Sequence, residues 1–239
     1  MTSVIKPSDI ATDRIVFTEV KPMGTSGAKQ CYVNYANDKD SGKNSQFPQV
    51  VTPKMRLPYG VSVYSEPGKP PRYALQMSFG DMTENSKTKT FYDGIKQIED
   101  KIIQEAMKNS LSWFKKKSIT EDVVRTLFCS SIAYSIDKET GEITNKYPPT
   151  FKAKIRFWEN EFKCIVFDHN KEKIEGDFTT YLGKGQNVSA IIKNGGLWFS
   201  GGKFGCTWNV EQLKVDKPQT LIGYAFLDDE DEEQFTTES

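Results

Sequence analysis

The chain of 239 residues contains one histidine, His169, and that scarcity removes much catalytic chemistry at the outset. No serine or cysteine motif surrounds it, so a nucleophile activated by an imidazole has no evident place in the sequence. Cysteine pairs are missing too. Cys31, Cys129, Cys164 and Cys206 lie far apart without a Cys-x-x-Cys spacing, make a poor zinc set with one histidine, and read as buried free thiols. Gly183-Lys184-Gly185-Gln186 lacks both the spacing of a phosphate-binding loop and the helix that should follow it. No apolar run approaches the roughly 18 residues of a membrane span, and Met1 to Lys6 has no signal-like core. The expectation is a soluble, intracellular protein without a membrane partner. Asn187-Val188-Ser189 matches a glycosylation acceptor but, lacking a secretory signal, reads as chance. There is no fixed-period repeat, which excludes solenoids and propellers. Asp81, Glu84, Asp168, Glu172 and Asp177 fall near strand or helix ends; they could serve a metal-dependent nuclease but read better as solvated surface. The reading is therefore a protein that is not an enzyme and needs no cofactor or metal.

What is present is an uneven distribution of charge. Lysine plus arginine and aspartate plus glutamate both number 32, yet residues 228–239 hold seven of the acids and no base. Residues 1–227 therefore carry a net charge of +7. The run Asp228, Asp229, Glu230, Asp231, Glu232, Glu233, closed by Gln234 and Phe235, repels itself and offers too little apolar surface to offset ordering. The division expected is one domain over 1–227 and a disordered acidic tail over 228–239. The tail can be a solubilising arm, or a built-in competitor for whatever polyanion the basic body binds.

Along the body, alternation with period two predicts strands at Arg14 to Val20, Gln30 to Ala36, Val50 to Tyr59, Val61 to Tyr64 and Arg72 to Phe79. Pro53 and Pro58 imply an edge or a bulge in the third. The period then changes. Phe91, Ile95, Ile98, Ile102 and Ala106 recur at threes and fours, predicting a helix from Thr88 to Asn109. Lys115-Lys116-Lys117 reads as a solvated loop, and Ser118-Ile119-Thr120-Glu121 as a capping box opening a second helix from Glu121 to Phe128. The inserted helical segment thus spans about 88–128.

Strands resume at Phe151 to Trp158, paired with Phe162 to Phe167 across a turn at Glu159-Asn160-Glu161. Two further strands, Asn187 to Lys193 and Gly196 to Ser200, lead to a hairpin at Gly201-Gly202, and the return runs Lys203 to Val215. A change of parity at Leu213 and Val215 predicts a β-bulge near Glu211-Gln212. In the first of these strands Phe151, Ala153, Ile155 and Phe157 alternate with Lys152, Lys154, Arg156 and Trp158, so one face is apolar and the other is three cations and an indole. Cations that neutralise phosphates beside rings that stack on bases suit a single-stranded nucleic acid bound without reading its sequence. Lys54 and Arg56, with Lys193, Lys203 and Lys214 near the final hairpin, are candidates to extend that groove; Trp198 and Trp208, flanked by apolar neighbours, read as core.

Taken in order, Tyr147-Pro148-Pro149-Thr150-Phe151-Lys152-Ala153-Lys154, Gly185-Gln186-Asn187-Val188-Ser189-Ala190-Ile191-Ile192 leading to Gly196-Leu197-Trp198-Phe199, Lys203-Phe204-Gly205-Cys206-Thr207-Trp208, and the acidic block closed by Phe235 form a pattern. Over about residues 50–235 the chain resembles the OB-fold single-stranded DNA-binding proteins of short-tailed bacteriophages and their relatives in large nucleocytoplasmic DNA viruses of algae and amoebae. The resemblance implies a mainly β, OB-fold-like, partly closed β-barrel with an inserted helical segment. Its implied function is sequence-nonspecific binding of single-stranded DNA in viral DNA replication, recombination or repair, inside the infected host cell. It also implies a tail that competes with DNA and contacts the replicative DNA polymerase and other replication proteins, and it raises a homodimer. In that family the aromatic residue is the last of the chain, whereas Thr236, Thr237, Glu238 and Ser239 follow Phe235 here. The rival from another class is a non-enzymatic structural or adaptor protein that uses the barrel face and tail for protein contacts.

Overall fold

The computed structural model describes residues 3–25, 27–36 and 46–216. Among them the chain is mainly β with three α-helices. The early strands are β1 (Ile15–Phe17), β2 (Lys29–Cys31) and β3 (Val33–Tyr35). The strand expected from Val50 to Tyr59, with an edge or a bulge at its prolines, is instead broken at Pro53 and ends before Pro58, giving β4 (Gln49–Val51) and β5 (Met55–Arg56); β6 (Val61–Tyr64) and β7 (Arg72–Ser78) follow. After the helices come β8 (Thr150–Ile155), β9 (Phe157–Trp158), β10 (Glu161–Phe162) and β11 (Ile165–Phe167). The two longest strands close the described chain: β12 (Asn187–Ser200) and β13 (Lys203–Val215).

β12 and β13 form one antiparallel hairpin around Gly201 and Gly202, whose φ values of 59° and 76° are those a two-residue turn demands and glycine supplies. The separate strands expected before that turn are one strand. Its ladder slips twice. Ile191 pairs with Gln212 but Ile192 with Val210, so Glu211 is the extra residue of the expected bulge; Asn194 pairs with Trp208 and Leu197 with Cys206, which puts a second bulge at Gly195-Gly196.

The main path of the sheet runs β4, β12, β13, β8, β7, β6. β4 and β5 both pair with β12, while β6 pairs with β7 at the opposite end of the path. Val4–Ile5 pairs in parallel with the outer side of β4 and begins the path, β6 ends it, and among the described residues no ladder joins those ends, so the barrel is open rather than closed. β11 also departs from the sequence reading. Only Glu161–Phe162 return along Phe157–Trp158, across the two residues Glu159 and Asn160, and Ile165–Phe167 leave to pair with β13.

The helices lie between β7 and β8 in sequence: α1 (Ser86–Lys108), α2 (Ser110–Phe114) and α3 (Glu121–Leu127). The Asn85 side chain accepts from Lys87 N–H and starts α1, whose face of Phe91, Ile95, Ile98, Ile102 and Ala106 is fully buried. Phe91 sets its ring edge-on to Phe151 of β8, 5.1 Å between centroids, which ties the helix to the inner face of the sheet. α2 carries Trp113 and Phe114 onto Phe199 and Phe204 at the tip of the long hairpin. The expected capping box at Ser118 is not made: Thr120 is the N-cap of α3 and no side-chain cap bond forms.

One buried carboxylate locks this insertion. Glu99 of α1 accepts from Ser131 N–H at 2.7 Å and from the Ser130 hydroxyl at 2.8 Å, pinning the chain where it leaves α3. Burial raises its pKa from 4.5, against the lowering effect of those bonds and of Lys96. The folded state therefore holds the proton more tightly than the unfolded chain, so this group's contribution to stability is greatest at low pH and falls as pH rises above about 4.5. In urea denaturation, the stability of the unaltered chain relative to Glu99→Gln should decline as pH rises through that range. Glu99→Ala, which leaves the Ser131 N–H unpaired, should cost about 1–3 kcal/mol.

Candidate nucleic-acid interface

The alternation of β8 is realised as expected: Phe151, Ala153 and Ile155 are buried while Lys152 and Lys154 point outward. Pairing across strands then assembles a row that no single segment contains. Ala74 of β7 pairs with Lys154, Lys154 with Asn209 of β13, and Asn209 with Lys193 of β12. Two residues to either side of Lys154 lie Lys152, on β8 opposite Gln76, and Arg156, just past the end of that strand.

Above this row runs a groove of about 480 Å³, walled by Tyr64, Arg72, Lys152, Lys154, Arg156 and Trp158. Cations lie over rings on both sides. The Lys152 ammonium is 5.4 Å from the Tyr64 centroid, and Trp158 has Arg156 at 5.8 Å and Lys163 at 5.5 Å. Trp158 stands on the β9–β10 hairpin, where Glu159 and Asn160 take positive φ of 54° and 57°, and 48% of it remains exposed. Lys154 reaches solvent, yet the groove walls partly desolvate it; that effect first, then repulsion from Lys152 and Arg72, lowers its pKa below 10.5.

Two of the cations have carboxylate partners. Arg72 is bonded to Glu66, and Arg156 donates to Glu211 at 2.8 Å, while the buried Nε of Arg156 has no hydrogen-bond partner. Arg156 and Asn209 also line a second recess of about 450 Å³, together with Tyr32, Asn34, Gln46, Lys193 and Glu211. Groove and recess share those two residues.

The other candidates are placed elsewhere. Arg56 pairs with Asn187 and Lys214 with Ser189, toward the far end of β12, roughly 20 Å and roughly 13 Å along the strand from Lys193. Lys54, in the same region, is bonded to Asp216 at 2.5 Å. Lys203 lies at the hairpin tip, where its ammonium donates to the Thr126 carbonyl at the end of α3, 2.7 Å away, so it caps a helix and does not line the groove. Asp228, Asp229, Glu230, Asp231, Glu232, Glu233 and Phe235 lie outside the described residues. Of the two remaining indoles, Trp208 is buried and Trp198 half-buried.

Tyr64 and Arg72 are not among the sequence candidates; Tyr64 is brought in by the pairing of β6 with β7, whereas Arg72 shares its face of β7 with Gln76, opposite buried Leu75 and Met77. Tyr32 had the same signal, alternating with Cys31 and Val33. Asn34, Gln46, Asn209 and Glu211 carry no local signal, because only strand pairing brings them together.

The cysteines are all free thiols. Cys31 is buried and Cys164 and Cys206 half-buried, the last two pushed up to about 12, chiefly by burial, but Cys129 is exposed, contrary to expectation. Among the described residues no group of three or more histidine, cysteine or carboxylate side chains is arranged to hold a metal. Asp81 accepts from the Asn85 amide, Asp168 from the N–H groups of Asn170 and Glu172, and Asp177 from Thr179, so these carboxylates organise their own loops.

Fold and groove together define a mainly β chain with a curved, cationic and aromatic outer face. Residues 81–228 match the model of the Family of unknown function (DUF5871), and the chain belongs to that family. No curated protein matches it. Among solved structures it is similar to the single-stranded DNA-binding protein from bacteriophage Enc34 in complex with ssDNA, at 13% identity over 87% of this chain and 98% of that one, with a TM-score of 0.39. It is similar also to gp2.5, a single-stranded DNA-binding protein encoded by bacteriophage T7, at 13% identity over 76% and 96%, with a TM-score of 0.42.

A chemical test of the groove follows from the lowered pKa of Lys154. Removing a neighbouring cation by Lys152→Ala or Arg72→Ala should restore part of its basicity and slow its acylation near pH 8 roughly twofold, read by peptide mass spectrometry. Unchanged rates would mean that the three cations do not share one field.

Proposed function

We propose that this chain binds single-stranded DNA through the groove over β6, β7 and β8, taking phosphates on Lys152, Lys154, Arg72 and Arg156 and stacking bases on Tyr64 and Trp158. The observation that carries the reading is the convergence of these cations and rings on one open face. Phosphate neutralisation supplies affinity that any sequence can satisfy, and each stacked base adds about 1–3 kcal/mol. A duplex keeps its base faces stacked and offers Trp158 nothing to stack on, so single strands are the preferred form. The function is binding, with no catalytic step.

On this reading the curled open sheet is OB-fold-like. Lys193 extends the groove past Asn209, and Lys54, Arg56 and Lys214 form a separate basic end where a longer strand leaves the protein. The acidic tail, with seven carboxylates against a body of +7, competes with DNA for the groove and, once displaced, is available to a replicative polymerase or other replication protein. The setting proposed is viral DNA replication, recombination or repair in the host cell; a homodimer formed through the tail belongs to the same proposal.

The test is a salt titration of oligodeoxythymidine binding by the full chain and by a chain ending at Leu227. Truncation should raise affinity, most at low salt, where the tail's charge is least screened. Lys152→Ala with Lys154→Ala should lower the slope of log affinity against log salt by about 1.4, two phosphates at about 0.7 each. No binding by the truncated chain at low salt would overturn the proposal. Binding indifferent to loss of Lys152, Lys154 and Arg156 would favour an adaptor whose face meets protein.

A further inference from the structure

The recess on the other side of Arg156 differs in chemistry from the groove with which it shares Arg156 and Asn209. Its floor is made by the second bulge of the long hairpin. Gly196, at φ +88°, lies so close to β2 that a Cβ would meet the Cys31 carbonyl oxygen at 2.7 Å, and a Cβ on Gly195 would meet Asn209 Nδ2 at 2.7 Å. Glycine is thus required at 196, where the obstacle is backbone and φ is positive, whereas at 195 it leaves bare backbone that the Asn209 amide overlays. Around it stand the Tyr32 ring, 54% exposed, the Gln46 amide, which accepts from the Lys193 ammonium at 3.0 Å, and the Glu211 carboxylate, whose Oε1 is taken by Arg156.

Cations stand to either side of this space. Lys154 and Lys193 are each one strand spacing, about 5 Å, from Asn209 in the same row. A phosphate inside the recess would meet the Glu211 carboxylate, whereas phosphates at its edge would meet lysines. A planar group with polar edges suits the interior, with amides and a carboxylate to hydrogen-bond those edges and a tyrosine ring beside them.

We infer that this recess receives one nucleobase and reads its edge, giving a single position of base preference within an otherwise sequence-tolerant groove. The inference rests on the single-strand reading above. The discriminating residue is Glu211. A carboxylate only accepts hydrogen bonds, and two oxygens leave it acceptor capacity beyond the bond to Arg156. An exocyclic amino group can therefore donate to it. Cytosine, with an N4 amine, fits; thymine presents the acceptor O4 at the same place and does not.

The experiment is competition between oligodeoxycytidine and oligodeoxythymidine of equal length for the full chain at fixed salt, followed by fluorescence anisotropy. Cytosine should be preferred roughly fivefold, about 1 kcal/mol, for one such contact. Glu211→Gln, which can keep the bond to Arg156 and can turn a donor toward O4, should bring the ratio close to one; Asn209→Ala, which uncovers the glycine floor, should also reduce it. A ratio of one for the unaltered chain would overturn the inference, as would a ratio that survives Glu211→Gln. So would an equal gain in affinity for both oligomers with a steeper salt dependence, since Glu211 would then be only the counterion of Arg156. Equal, salt-sensitive binding leaves the proposed function standing without the base site; no binding to either oligomer overturns both.

Discussion

The ladder between β12 and β13 is the constraint on which the other features depend. β13 pairs with β12 along one edge and with β8 and β11 along the other, so its register decides which side chains of three further strands share a level. Asn209 stands between Lys154 and Lys193 only because the ladder slips where it does. Side chains alternate with a period of two, so a slip of one residue would turn Trp208 outward and bury Asn209 in its place. Trp208 packs against Phe47 and Phe151, and the loss of those contacts holds the register against such a slip.

The same pairing concentrates charge that isolated side chains would disperse. Each cation of the groove is managed differently: Lys152 over a tyrosine ring, Arg72 on Glu66, Arg156 between Trp158 and Glu211, and Lys154 by partial loss of its proton's hold. Arg72 and Glu66 are well exposed, and such a pair contributes little to stability, whereas Arg156 and Glu211 are more enclosed. On the proposed function Glu66 is thus a partner that a phosphate can replace, while Glu211 keeps Arg156.

Legibility followed locality. The alternation of β8, the apolar stripe of α1, the Gly201-Gly202 turn and the bulge at Glu211 were visible in sequence, because each is a pattern within a dozen neighbouring residues. The candidate site was legible where it coincided with such a pattern, at Lys152, Lys154, Arg156 and Trp158, and at Lys193 near the final hairpin. Tyr32, Asn34 and Gln46 come from a segment more than a hundred residues from β13, and only non-local pairing brings them to Asn209 and Glu211. Lys203 misled for the converse reason: its basic character is real, but its partner is the Thr126 carbonyl, contributed by a helix whose position no period in the hairpin specifies. The expected joining of Phe162 to Phe167 into one returning strand failed because Ile165 finds its partner in Gln212 of β13, a competitor invisible from the hairpin itself.

β5, on the β12 side of the sheet, and β6, at the end of its path, are joined by the chain through Leu57 and Pro58 rather than by a ladder. A closed barrel resists dilation because widening it breaks a row of hydrogen bonds. Here the seam is held by single contacts with the loop that precedes β12: Leu57 N–H donates to the Gln186 carbonyl at 2.8 Å, the Leu57 carbonyl accepts from Gly185 N–H at 2.7 Å, and Val61 N–H donates to the Leu182 carbonyl at 2.9 Å. The wall carrying Tyr64 is thus fastened to the loop at 182–186 by separate bonds rather than by a continuous row, and Gly60 lies so close to Leu182 that a Cβ there would meet its carbonyl oxygen at 2.7 Å.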